Sequence, residues 1–261
     1  MNFTRAIVRH PGASFTAGLS SAREADPDVD LARSQHARYS QALCECGLEV
    51  TRLAPDESYP DSTFVEDTAI LTSRGAILAR PGALSRRGEV YGIAPCLRGF
   101  YADLPQIEAP GTLDGGDICE ADGHFLIGVS ARTNEEGARQ LARHLARLGF
   151  TSSEVDIRNN PALLHLKSGI AYLGAGLWVA DAGIAGELRS QAAIAAHDVI
   201  VVPPAEAYAA NCVRVNGTIL VAAGYPNLRA ALKARGLPSL ALDVSEFRKM
   251  DGGLSCLSLR F

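Results

Sequence analysis

No stretch of 18 apolar residues occurs in this 261-residue chain, which excludes a membrane-spanning helix. There is no basic run either, and with a net charge of −4 no electrostatic footprint for nucleic acid. The six cysteines, at 44, 46, 96, 119, 212 and 256, have neither CxxC spacing nor the density of a disulfide scaffold. The opening MNFTRAIVRHPG lacks the charged-then-apolar pattern of a secretory signal, so a cytoplasmic protein with reduced thiols is expected. No linker or low-complexity segment divides the chain. Residues 1–261 therefore read as a single domain with a sizeable core, 47% apolar and 21% charged.

What the chain does contain is a repeat. A short strand, a tight turn and a second strand recur at FVEDTAILTSRGAIL from Phe64, GGDICEADGHFLIG from Gly115, LHLKSGIAYLGAGLWVA from Leu164 and NCVRVNGTILVAAG from Asn211. A fifth unit, GLSCLSLRF from Gly253, lacks its second strand, which Thr4–Gly12 resembles and could supply. Asn216-Gly217 is the strongest hairpin signal and predicts a type I′ turn. Amphipathic helices capped by a polar residue and stopped by glycine are expected at Asp30–Gly47, Asn134–Gly149 and Asn227–Gly236, each followed by a third strand. A four-stranded blade propeller has a similar period but no room for such helices. The expected fold is an α/β ring of five strand–strand–helix–strand units closed by the N-terminal strand.

Side chains with reactive chemistry sit at comparable places in the units. Asp67, Asp117, His165, Cys212 and Cys256 are 50, 48, 47 and 44 residues apart, and the ring would aim them at one centre. A cytosolic thiol is ordinarily a small buried hydrophobe. Cys256 departs from that because Gly252-Gly253 upstream permits close backbone approach. The other five cysteines have no such setting. A thiol nucleophile needs a proton carrier, which His165 supplies, and the histidine needs an orienting carboxylate, for which Asp114 and Asp117 are the candidates. Asp61, Glu66 and Asp67 cluster acids near the thiol, an arrangement that suits a cationic substrate. Arg86 or Arg87, with Arg132, offers a bidentate clamp for a carboxylate. Cys256, His165 and Asp114 could in chemistry hold Zn²⁺, but no short ligand spacing supports a metal.

These residues lie in long motifs: YPDSTFVED from Tyr59, RPGALSRRGE from Arg80, APGTLDGGD from Ala109, IGVSARTNEEGA from Ile127, LHLKSG from Leu164, YAANC from Tyr208 and KMDGGLSC from Lys249. In that order they resemble the dimethylarginine dimethylaminohydrolases, guanidine-modifying enzymes of the pentein fold, nearly end to end. The resemblance implies a five-fold pseudo-symmetric ββαβ propeller and hydrolysis of methylated arginines to citrulline through a covalent thiouronium, with neither metal nor cofactor. By motif, Cys256 matches the nucleophile, His165 the general acid and base, and Asp114 its orienting carboxylate. Glu66 and Asp67 match the guanidinium contacts. Asp61, with the carbonyls of Leu19 and Met250, matches the amino-group contacts, and Arg86 and Arg132 match the carboxylate pair. Tyr59 stands where some members have Phe. The partner is a small methylarginine, and open strand edges leave room for a homodimer. Arginine deimination, citrulline hydrolysis and a non-catalytic pentein binding module are the alternatives.

Overall fold

The computed structural model of the chain describes residues 2–21 and 24–261. Its elements are β1 (Arg5–Arg9), α1 (Val29–Glu45), β2 (Glu49–Leu53), β3 (Ala69–Thr72), β4 (Gly75–Leu78), α2 (Glu89–Leu97), β5 (Ile118–Ala121) and β6 (His124–Val129). Then come α3 (Glu135–Arg147), β7 (Thr151–Asp156), α4 (Leu166–Gly169), β8 (Ile170–Gly174), β9 (Leu177–Asp181), α5 (Ala185–Ser190) and β10 (Asp198–Val202). The chain continues through β11 (Val213–Val215), β12 (Thr218–Ala222), α6 (Pro226–Ala234), β13 (Ser239–Leu242), α7 (Ser245–Arg248) and β14 (Leu259–Arg260).

These strands make small mixed sheets: β14-β1-β2, β5-β6-β7, β8-β9-β10, β11-β12-β13 and the pair β3-β4. In each three-stranded sheet the first two strands are antiparallel and the third returns parallel to the second. The helix between second and third strands explains the switch, since a parallel pair requires a crossover. After α2 the third strand shrinks to one bridge, Leu78 to Gln106. Pro105 and Pro110 flank that segment, and proline cannot donate to a ladder. β1 pairs antiparallel with β14, Ala6 opposite Arg260 and Ile7 opposite Leu259, so the N-terminal strand does complete the last unit.

Local signals explain the helices. Asn134 caps α3 by accepting from the Gly137 N–H at 2.8 Å, and Leu141 and Leu145 are fully buried. Gly149, in the left-handed region at φ 80°, ends it. The hairpin tips divide differently from expectation. Asp122 and Gly123 both have positive φ (49° and 86°), the type I′ geometry, whereas at 216–217 only Asn216 does (φ 53°). Asn216 is instead committed through its side chain to Phe3 and the Cys46 carbonyl.

Each buried apolar cluster joins two sheets. Ile70 and Ile77 meet Phe125 and Ile127; Leu126 meets Trp178; Val179 meets Ile219 and Val221; Leu220 meets Ala6 and Val8; Ile7 and Leu259 meet Ala69 and Leu78. The first strands β3, β5, β8, β11 and β14 all line one cavity of ≈ 360 Å³. No helix among the described residues is long and apolar enough to cross a membrane.

Candidate active site

The reactive side chains sit in tight turns that lead into the first strands: Val65–Thr68 before β3, Gly115–Asp117 before β5, α4 before β8 and Ser255–Leu257 before β14. A second, small cavity of ≈ 30 Å³ is lined by Leu19, Asp61, Phe64, Asp67, Arg86, Arg132, Leu164, His165, Met250, Asp251, Gly252 and Cys256. His165 donates from Nε2 to Asp114 Oδ2 at 2.9 Å, and the other oxygen of Asp114 accepts from the Gly82 N–H at 2.8 Å. Asp114 is fully buried behind the ring. Asp67 accepts from the Gly116 N–H at 2.8 Å and from Arg86 Nη1 at 2.6 Å. Gly116 has no space for a side chain, since a Cβ there would lie 2.8 Å from the His165 ring and 2.9 Å from Asp67 Oδ1.

Burial and acids set the protonation of this cluster. Burial pushes the Cys256 thiol up to about 12, and Glu66 and Asp67 add to the effect. Burial alone would push His165 down; Asp67, the hydrogen bond to Asp114 and the charge of Asp117 overcome it and hold the ring at about 9. Against its own burial, Asp67 is held down at about 2 by His165 and Arg86. The ligand-free site at neutral pH is therefore a neutral thiol, an imidazolium and a carboxylate.

Arg86, Asp61 and Glu66 are placed in ways the sequence did not indicate. Arg86 is buried and already engaged: besides Asp67, it donates to both carboxylate oxygens of Glu89 at 2.9 and 2.8 Å and to the Phe64 carbonyl at 3.1 Å. Arg87, the alternative, donates to the Pro81 carbonyl and does not line the small cavity. Arg132 retains a buried Nη1 with no hydrogen-bond partner among the described residues. Asp61 accepts from the Leu19 N–H at 3.0 Å and so ties down the loop over the cavity. Glu66 lines the larger cavity, where Lys167 Nζ (2.7 Å) and Ser255 Oγ (2.8 Å) donate to it.

The five spaced positions do not converge as one set. Asp67, His165 and Cys256 line the small cavity. Asp117 is fully buried, accepting from Ser130 Oγ and the Leu166 N–H, and Cys212 lines the larger cavity. The turns differ in length, so equal spacing in sequence does not give equal offsets from the strand. Glu89 was missed, although it stands three residues after Arg86 at the start of α2. Asp67, Asp114 and His165 also place one ligand atom each within 4.8 Å of the others. Those atoms are engaged by the Arg86 guanidinium and by each other, a donor set poorly suited to a cation.

A protein-family model described as arginine deiminase matches residues 57–199. The N(G),N(G)-dimethylarginine dimethylaminohydrolase of Pseudomonas aeruginosa is 45% identical over 260 residues, covering 99% of this chain and all of that one. A mutant dimethylarginine dimethylaminohydrolase from Pseudomonas aeruginosa, complexed with citrulline, superposes with a TM-score of 0.94 at 44% identity, covering 100% of both chains. A dimethylarginine dimethylaminohydrolase with one histidine changed to glycine, as its adduct with S-methyl-L-thiocitrulline, gives 0.93 at 44% identity, over 99% of this chain and 100% of that one. The chain thus carries a domain of the arginine deiminase family, and within it belongs to the dimethylarginine dimethylaminohydrolase family.

Proposed function

We propose that this chain hydrolyses N-omega-methylated arginines, asymmetric dimethylarginine and monomethylarginine, to citrulline and methylamines. One observation carries the reading: Cys256, His165 and Asp67 share a small cavity that Arg132 also lines, with a buried N–H that has no partner among the described residues. A cation is drawn to Asp67, and a carboxylate at its other end to Arg132.

The thiol of Cys256 gives its proton to solvent as the guanidinium arrives. The thiolate then attacks the guanidinium carbon. His165, protonated, passes its proton to the dimethylamino nitrogen, and the C–N bond breaks to release dimethylamine. What remains is a thiouronium on Cys256. Neutral His165 takes a proton from water, whose oxygen adds to the same carbon; the C–S bond breaks, the sulfur leaving with the hydroxyl proton, and citrulline departs. Asp114 keeps the imidazole oriented throughout. The cavity holds only a water or two as it stands, so the site must widen to admit substrate.

The five sheets form a closed five-fold propeller in this reading. Its support is that the apolar clusters link the sheets in cyclic order and that all five first strands line one cavity. The whole works as one catalytic domain, and its six free cysteines suit a reducing, cytoplasmic setting. An assay for the ureido product, citrulline or its decarboxylated counterpart, with asymmetric dimethylarginine, monomethylarginine, arginine and agmatine in parallel tests the activity. Turnover of the methylated substrates is expected to dominate; preference for arginine or agmatine would overturn the assignment.

A further inference from the structure

Asn211 is buried and has no part in the scheme above. It stands between the turn Pro204–Ala210 and β11. Its amide is fully employed: Nδ2 donates to the Lys167 carbonyl at 2.7 Å and to Ser255 Oγ at 3.0 Å, while Oδ1 accepts from the Ser255 N–H at 3.0 Å. Lys167 lies just beyond His165, and Ser255 immediately precedes Cys256. One side chain thus spans the turn that carries the proton donor and the turn that carries the nucleophile.

The bridge is closed on its other side by Glu66, which accepts from Lys167 Nζ and Ser255 Oγ. It is also tight. A Cβ on Gly253 would lie 2.5 Å from Asn211 Oδ1, so the backbone ahead of the nucleophile is pressed against this amide.

We propose that Asn211 is a positioning residue for the hydrolysis, fixing the His165 turn against the Cys256 turn so that proton donor and thiolate meet the same substrate. The proposal rests on the methylarginine reading. Dimethylamine cannot leave without a proton, so misplacing His165 relative to Cys256 slows its departure. A misplacement near 1 Å typically costs about 100-fold.

S-methyl-L-thiocitrulline separates positioning from mere packing. Cys256 attack on it forms the same thiouronium, but methanethiolate leaves without needing His165 and is protonated by solvent. The experiment compares Asn211→Ala and Asn211→Asp with the unmodified chain. It measures steady-state citrulline formation from asymmetric dimethylarginine and the single-turnover burst of methanethiol. Expected is a fall of about 100-fold in kcat with KM changed less than about 3-fold, while the burst rate changes less than about 3-fold. Equal losses on both substrates, or an unchanged kcat, would overturn the proposal. Asn211→Asp keeps the acceptor for Ser255 and carries the test if Asn211→Ala does not fold.

A substrate-free arm distinguishes this from failure of the methylarginine reading. His165→Gly should shift the pH profile of Cys256 alkylation in the unmodified chain and shift it less in Asn211→Ala. Equal shifts refute the positioning role. Absence of citrulline from any methylarginine refutes the activity instead.

Discussion

In the ligand-free protein Cys256 should resist alkylation until the pH is far above neutral, and a bound cation should restore its reactivity. An ordinary thiol titrates near 8.5, so at pH 8 roughly a quarter is thiolate. With the Cys256 thiol pushed up to about 12 by burial, Glu66 and Asp67, the fraction falls to roughly one in 10,000, and alkylation slows by about 2,000-fold. A cation about 4 Å from the sulfur, at an effective dielectric near 20, contributes about 4 kcal/mol in favour of the thiolate. That is about three pKa units, enough to bring the thiol to about 9. The assay is iodoacetamide labelling across pH, read by mass spectrometry on the Cys256 peptide, with and without an amidine analogue of arginine. A ligand-free midpoint below pH 8 would refute the reasoning, as would an analogue that leaves the midpoint unmoved.

Four further outcomes are expected. Asp114→Asn removes a contact that holds His165 near 9; with the thiol titrating above the imidazolium, kcat/KM should climb with pH only as far as the His165 pKa, so this break should move to lower pH, and a break that stays in place would dismiss Asp114 as its support. Arg86→Ala strands the buried Asp67 and Glu89 and should cost about 3–5 kcal/mol in chemical denaturation. Arg132→Ala should leave stability within about 1 kcal/mol and mainly raise KM; the reverse pattern would exchange their roles. His36 is fully buried with both ring nitrogens unpartnered among the described residues, and burial, with His10 and Arg52, holds it down at about 3. Folded His36 stays neutral while the unfolded chain takes up a proton below about 6.5, so stability drains as pH falls from there towards 3, by about 2 kcal/mol between pH 7 and 5. His36→Leu should abolish that share of the loss in paired urea titrations; an undiminished loss would point to other groups.

Much of this was readable from residue order because the relevant physics is local. The helix at Asn134–Gly149 announced its own cap, apolar stripe and stop, and Gly252-Gly253 marked a backbone under close approach, realised against the Phe64 ring and Asn211. The strand expected of Thr4–Gly12 also took its place beside the final strand. What sequence could not supply was the direction of a buried side chain. Glu66 and Asp67 are neighbours in one turn, yet they face different cavities. Arg86 carried the charge a carboxylate clamp needs, but Glu89 and Asp67 had already taken its donors. Asn211 lies in the quoted motif YAANC, yet its value comes from two turns distant in the chain.

The pairing of β1 with β14 has a temporal side. Cys256 lies in the short turn that runs directly into β14, and β14 is held by Ala6 and Ile7. During synthesis, then, β1 must wait with an open edge for β14, and contacts so distant in sequence form slowly. Until they meet, the reactive sulfur has no fixed address, and a nascent polypeptide carrying every acid and the histidine is still chemically silent.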